Sequence, residues 1–126
     1  MTDITQRKDL ELLIDSFYKK ALKDKLIQHF FTDVVPLDWE QHIPLIVDFW
    51  ESSLLDSGNY KGNPMSAHLK LDQRSPLKKV HFDRWLELWE RNVNENFEGE
   101  KAKLAISRAK QIAQLMQYKI EQERAQ

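Results

Sequence analysis

The sequence predicts an all-α chain, on three observations. Apolar residues recur at three- and four-residue spacing over long stretches. No stretch alternates apolar and polar positions with β-branched residues. Glycine is scarce, at Gly58, Gly62 and Gly99, each between periodic segments that it punctuates. A length of 126 residues predicts one domain, spanning 1–126, with enough chain to bury a core.

The first long helix has Asp9 as its expected N-cap and carries Leu10, Leu13, Ile14, Phe17, Ala21 and Leu22 at helical spacing. Tyr18 stands four residues from both Ile14 and Leu22, on the apolar side. Core packing explains such a tyrosine, although a buried hydroxyl still needs a partner. After Asp24 the chain reads KLIQHFFTDVVPLD, a helical turn and a bend. Phe30 and Phe31 are adjacent and cannot share one helix face, so one of them is free to cover something other than the main core.

Asp38 can cap the next helix, with Gln41 three residues on as its capping-box partner. Its expected inner stripe is Trp39, His42, Ile46, Phe49, Trp50 and Leu54. Pro44 removes a backbone hydrogen bond and is expected to distort the helix beside His42. A satisfied structural histidine is the plain reading of His42 alone.

The stretch from Tyr60 to Trp89 is harder to explain as packing. It holds His68 between apolar residues on a segment marked by Gly62 and Pro64, breaks again at Pro76, and then opens an aromatic helix at His81. That helix carries Phe82, Trp85, Leu86, Trp89 and Val93. Beyond Gly99, EKAKLAISRAKQIAQLMQYKIEQER has high helix propensity, with Leu104, Ala105, Ala109, Ile112, Met116 and Ile120 as its expected stripe. Its alanines allow a neighbouring helix to come close. Long helices joined by short breaks make a bundle.

Composition excludes several classes. A net charge of −1 gives no reason to expect nucleic acid or an anionic membrane as partner. The absence of cysteine removes disulfides, thiolate metal sites and cysteine nucleophiles. The charged start MTDITQRKDLELL predicts no secretion signal, and no apolar run approaches the ~20 residues that span a bilayer, so a cytoplasmic protein is expected. The four histidines, His29, His42, His68 and His81, are never three to five residues apart, which removes the common zinc and di-iron motifs. No phosphate loop and no nucleophile elbow occurs.

A site that asks the protein for one metal ligand passes all these tests. Haem is such a case, since the porphyrin supplies four nitrogens and one imidazole completes the proximal side. A lone loop histidine, many aromatics and the polar-tipped Tyr18, His42 and Trp85 on three helices are compatible with it. A haem-free α-helical interaction module, with the aromatics as core, explains the same composition.

Four pieces, in order, favour haem: FYKKALKDKLIQHFF (17–31), WEQHIPLIVDFW (39–50), YKGNPMSAHLKL (60–71) and PLKKVHFDRWLELW (76–89). Together they resemble the group III (P-type) truncated haemoglobins over nearly the whole chain. The resemblance implies a two-on-two helical sandwich around haem b. It implies His68 as the proximal iron ligand, and Tyr18, His42 and Trp85 as the residues that border and stabilise a bound diatomic ligand. Phe31, Ile46 and Phe49 then contact the porphyrin. His81 competes for the axial role but loses it, because the loop before His68 carries the proximal motif; helix-start capping or a propionate contact is the alternative for His81. The implied function is binding of O2 and other diatomic ligands. Nitric oxide dioxygenase or peroxidase-like chemistry stays open, with electrons from an external reductase, and a monomer is expected.

Overall fold

The computed structural model describes residues 1–31, 39–56, 72 and 75–125. Among them are four long helices and no strand: α1, Arg7–Ala21; α2, Trp39–Leu54; α3, Lys79–Asn96; and α4, Glu100–Ala125. Helix α1 packs on α2 and on α3, while α4 packs on α3 and on α2. The diagonal pairs, α1 with α4 and α2 with α3, make no close backbone approach among the described residues. This is two layers of two helices, the all-α sandwich that the resemblance implies.

Helix α1 begins three residues before its expected start. Asp9 is its third residue rather than its cap, and Asp9 Oδ2 accepts from the N–H groups of Thr5 at 2.9 Å and Gln6 at 3.2 Å. The carboxylate thus reaches back to satisfy donors ahead of the helix, a role that sequence spacing cannot separate from N-capping. Helix α2 runs from Trp39 to Leu54 with Pro44 inside it, unbroken. The cap expected from Asp38 lies outside the described residues, as do Gly58 and Gly62.

The expected stripe of α2 resolves into two. Val47, Trp50 and Leu54 are buried at 1%, 4% and 1% exposure, with Ile43 packed against them. His42, Ile46 and Phe49 lie on the adjacent flank and are half-buried. The expected stripe merged the two flanks and missed Val47. Both flanks recur at helical spacing, so periodicity alone cannot say which one meets the core.

Helix α3 starts at Lys79. His81 sits in its first turn, where its Nδ1 accepts from the Lys78 N–H at 3.0 Å. Besides Phe82, Trp89 and Val93, this helix buries Leu88 and Asn92. In α4 the sealed line is Ala102, Ala105, Ala109, Ala113, Met116 and Ile120, while Leu104 and Ile112 pack beside it. The alanines let α3 come close: the Trp89 indole N–H donates to the Ala105 carbonyl at 3.2 Å, which satisfies a ring that is 1% exposed. Trp50 of α2 stacks on Trp89 at 4.9 Å, tying both layers to one aromatic centre.

The N-terminal segment closes the far end. Asp3 accepts from the N–H groups of Lys101 and Ala102, both at 2.9 Å, and so caps α4 from the other end of the chain. Burial pushes the Asp3 carboxyl upward, but the bonds from Lys101, Ile4 and Ala102 prevail and hold it below its ordinary value. Gly99 has φ +144°, and a Cβ there would lie 2.5 Å from Asp3 Cγ, so this corner needs glycine on two counts.

Candidate functional site

Tyr18 lies on α1 one position after Phe17, so the two rings leave the helix about 100° apart. Phe17 turns to α3, with its ring edge-on to Trp85 at 5.9 Å and Trp89 at 5.4 Å. Tyr18 turns to α2, where its hydroxyl lies 3.3 Å from His42 Nε2. Phe31 meets the Tyr18 ring edge-on at 5.5 Å. Phe30 goes the other way, is 5% exposed, and packs on the His81 ring at 4.9 Å. The adjacent phenylalanines therefore diverge as their spacing requires.

Burial lifts the Tyr18 phenol well above its ordinary value of 10.0. The group stays neutral through the physiological range and keeps its proton as a hydrogen-bond donor. His42 is half-buried on the same flank of α2 as Ile46 and Phe49. A neutral hydroxyl and an imidazole thus stand together against aromatic and aliphatic walls. Such an arrangement suits a small, weakly polar ligand that develops partial negative charge.

Trp85 is half-buried and stacks parallel to Trp89 at 5.9 Å, one turn away on α3. Phe17 touches both rings, which puts Trp85 one aromatic contact from Tyr18. Of the residues expected at the site, Tyr18, His42 and Phe31 are in mutual contact through Tyr18. Ile46 and Phe49 continue the flank of His42. His68, and the loop from Tyr60 that carries it, lie outside the described residues.

His81 is committed elsewhere, since its Nδ1 caps the start of α3 and its ring packs on Phe30 and, at 5.9 Å, His29. Burial first, then the neighbouring His29 and Lys78, push its pKa below the ordinary 6.5. Helix-start capping was one of the two roles expected of it. His29 packs at the bend, its ring 4.0 Å from that of Phe30. Close by, Asp24 accepts from Arg84 Nε at 2.7 Å, which ties the segment bearing Phe30 and Phe31 to the residue beside Trp85.

The residue that sequence reasoning missed is Asn92. It is fully buried, and asparagine near a helix end reads as solvated from sequence. Its one legible signal is position: it follows Trp85 by seven and Trp89 by three, on the apolar face of α3.

No helix among the described residues is long and apolar enough to cross a membrane. No family model matches the chain. Over 104 residues the chain is 33% identical to the group 3 truncated hemoglobin ctb of Campylobacter jejuni, covering 80% of each protein. The crystal structure of a group III truncated hemoglobin from Campylobacter jejuni matches with a TM-score of 0.82 at 29% identity, over 95% of each chain.

Proposed function

This chain belongs to the group III truncated haemoglobins, and on that premise we propose that it binds haem b through His68 and holds O2 or another diatomic ligand beside Tyr18, His42 and Trp85. The observation that carries the reading is the neutral Tyr18 hydroxyl, buried among aromatic rings and 3.3 Å from His42 Nε2. Held by His68, haem would supply an iron able to bind a diatomic ligand. Phe31, Ile46 and Phe49 offer the apolar surface for the porphyrin.

The work of the chain is then to place donors. The Tyr18 hydroxyl has a single proton, so it donates to a ligand only when His42 presents Nε2–H and the phenol oxygen accepts from it. His42 thereby sets the direction in which Tyr18 donates. The Trp85 indole N–H is a donor that cannot reverse. Burial of the Tyr18 hydroxyl keeps water from competing for it, which strengthens the bond it would make.

A redox activity shares this geometry. Peroxide cleavage and the reaction of O2 with nitric oxide both develop negative charge where Tyr18 and Trp85 would donate, and three polar tips exceed what simple storage requires. An external reductase would supply the electrons. A single globin domain spanning 1–126, cytoplasmic and monomeric, completes the proposal.

Adding hemin to the purified protein tests it. A strong Soret band and a raised Tm are expected, with His68→Ala losing stable haem. Absence of both effects in the native sequence favours a haem-free interaction module. Normal haem retention in His68→Ala rejects the axial assignment.

A further inference from the structure

Between α1 and α3 lies one polar side chain that the hydrophobic core does not require. Asn92 is 0% exposed. Its Nδ2 donates to the Leu13 carbonyl at 2.9 Å, while its Oδ1 accepts from Ser16 Oγ at 2.7 Å and Lys20 Nζ at 3.0 Å. Lys20 also pairs with Glu95 at 3.1 Å, and Asn96 Nδ2 donates to the Asn92 carbonyl at 2.8 Å. The Leu13 carbonyl already serves as a helix acceptor. A buried leucine would fill similar space with no amide to desolvate, so stability alone does not call for asparagine.

What the amide adds is direction. Beside this polar cluster, Phe17 joins α1 to α3 through aromatic contacts, edge-on against Trp85 and Trp89. Contacts of that kind tolerate rolling and sliding, whereas hydrogen bonds weaken steeply with misalignment. Leu13, Ser16 and Lys20 stand at i, i+3 and i+7, one stripe along α1. An amide that grips all three fixes both the rotation and the height of that helix. Tyr18 lies within the gripped span but projects from the other side, toward His42. With its hydroxyl about 8 Å from the helix axis, a roll of about 10° moves the donor by more than about 1 Å. Trp85 precedes Asn92 by two helical turns on the same face of α3, so the clamp is in register with the second donor.

We infer that Asn92 is a positioning residue: by clamping Leu13, Ser16 and Lys20 it sets the rotation of α1, and so aims the Tyr18 hydroxyl at the ligand. The inference rests on the ligand-site reading of Tyr18 given above.

The test uses the full chain loaded with haem and compares Asn92→Leu, Tyr18→Phe, their double variant and Val93→Ala. Val93, 0% exposed and next along α3, is a control for loss of packing. The readouts are the C–O stretch of the carbon monoxide complex, which rises when a donor to the ligand is lost, and the O2 release rate. Asn92→Leu is expected to raise the stretch in the direction of Tyr18→Phe and to speed release by roughly three- to tenfold. Val93→Ala lowers Tm with the stretch unchanged. The double variant matches Tyr18→Phe alone, because Asn92 acts through Tyr18.

An unmoved stretch in Asn92→Leu, additive shifts in the double variant, or an equal shift in Val93→Ala overturns the inference. If Tyr18→Phe itself is silent, the ligand-site reading fails and takes the inference with it. Should Asn92→Leu fail to fold, Ser16→Ala removes one bond of the clamp and is held to the same comparison.

Discussion

Trp89 and Trp85 are one helical turn apart, stacked parallel, and lead different lives. Trp89 is 1% exposed; its indole N–H is satisfied by Ala105, and its faces meet Trp50 and Trp85. Trp85 is half-buried at the edge of the same stack. The division repeats around the molecule. Phe17 turns into the core and Tyr18 away from α3; Phe30 is sealed and Phe31 meets Tyr18; Trp50 is sealed and its neighbour Phe49 shares the flank of His42. In each pair one aromatic holds the helices and the other lines the candidate site. The candidate site thus adjoins the core: Tyr18 belongs to the core cluster, and Phe31, Phe49 and Trp85 pack against it.

That contrast breaks most sharply at Trp89. Trp89→Ala should cost about 3–5 kcal/mol of folding stability, measured by denaturant unfolding, as large aromatic truncations in closed cores do. Trp85→Ala should cost clearly less while changing ligand kinetics. Equal losses at the two positions would erase the distinction between core wall and site wall.

Tyr18→Phe comes next. A hydrogen bond to a charged group contributes roughly 1.5–3 kcal/mol, so O2 release should accelerate by about 10- to 100-fold. Packing is nearly unchanged, so Tm should shift little. An unchanged release rate removes Tyr18 from the ligand and leaves it a core residue like Phe17.

The smallest expected effect is the acid response of Asp24, which ties the segment bearing Phe30 and Phe31 to α3. Burial of this carboxylate, whose side chain is 8% exposed, pushes its pKa upward. The bond from Arg84 and the N–H groups of Leu26 and Ile27 outweigh that push and hold it below the ordinary 3.8. A depressed folded value means that the stabilisation is complete above 3.8 and is lost as pH falls through the lower folded value. Wild-type Tm should therefore fall more steeply than that of Asp24→Asn as pH drops from about 5 to about 2. Parallel curves would show that the pair contributes nothing.

Legibility followed the same division. The faces of α1 and α3 were readable because each has one dominant apolar stripe, and burial of such a stripe is what makes the helix stable. In α2 two neighbouring flanks are apolar, so His42, Ile46 and Phe49 could not be told from Val47 and Trp50 by spacing. Their ordering as the set flanking Tyr18 was read instead from resemblance. Asn92 stayed hidden because its partners, Leu13, Ser16 and Lys20, are on another helix, and an amide in a helix reveals nothing of them. Asp3 was hidden for the same reason, since the N–H groups it caps are 98 and 99 residues further along the chain.

The sequence by itself determined four helical segments, their breaks, the divergence of Phe30 from Phe31 and the lack of any multidentate metal motif in the histidine spacing. These are properties of neighbours along the chain, governed by helix geometry and turn chemistry. Tertiary structure decided which flank of α2 faces the core and which stands beside Tyr18. It also decided which tryptophan is sealed and which carboxylate caps α4. Each of those outcomes depends on which surfaces meet across the two layers, and on burial that makes an unpaired polar group costly enough to dictate its partner.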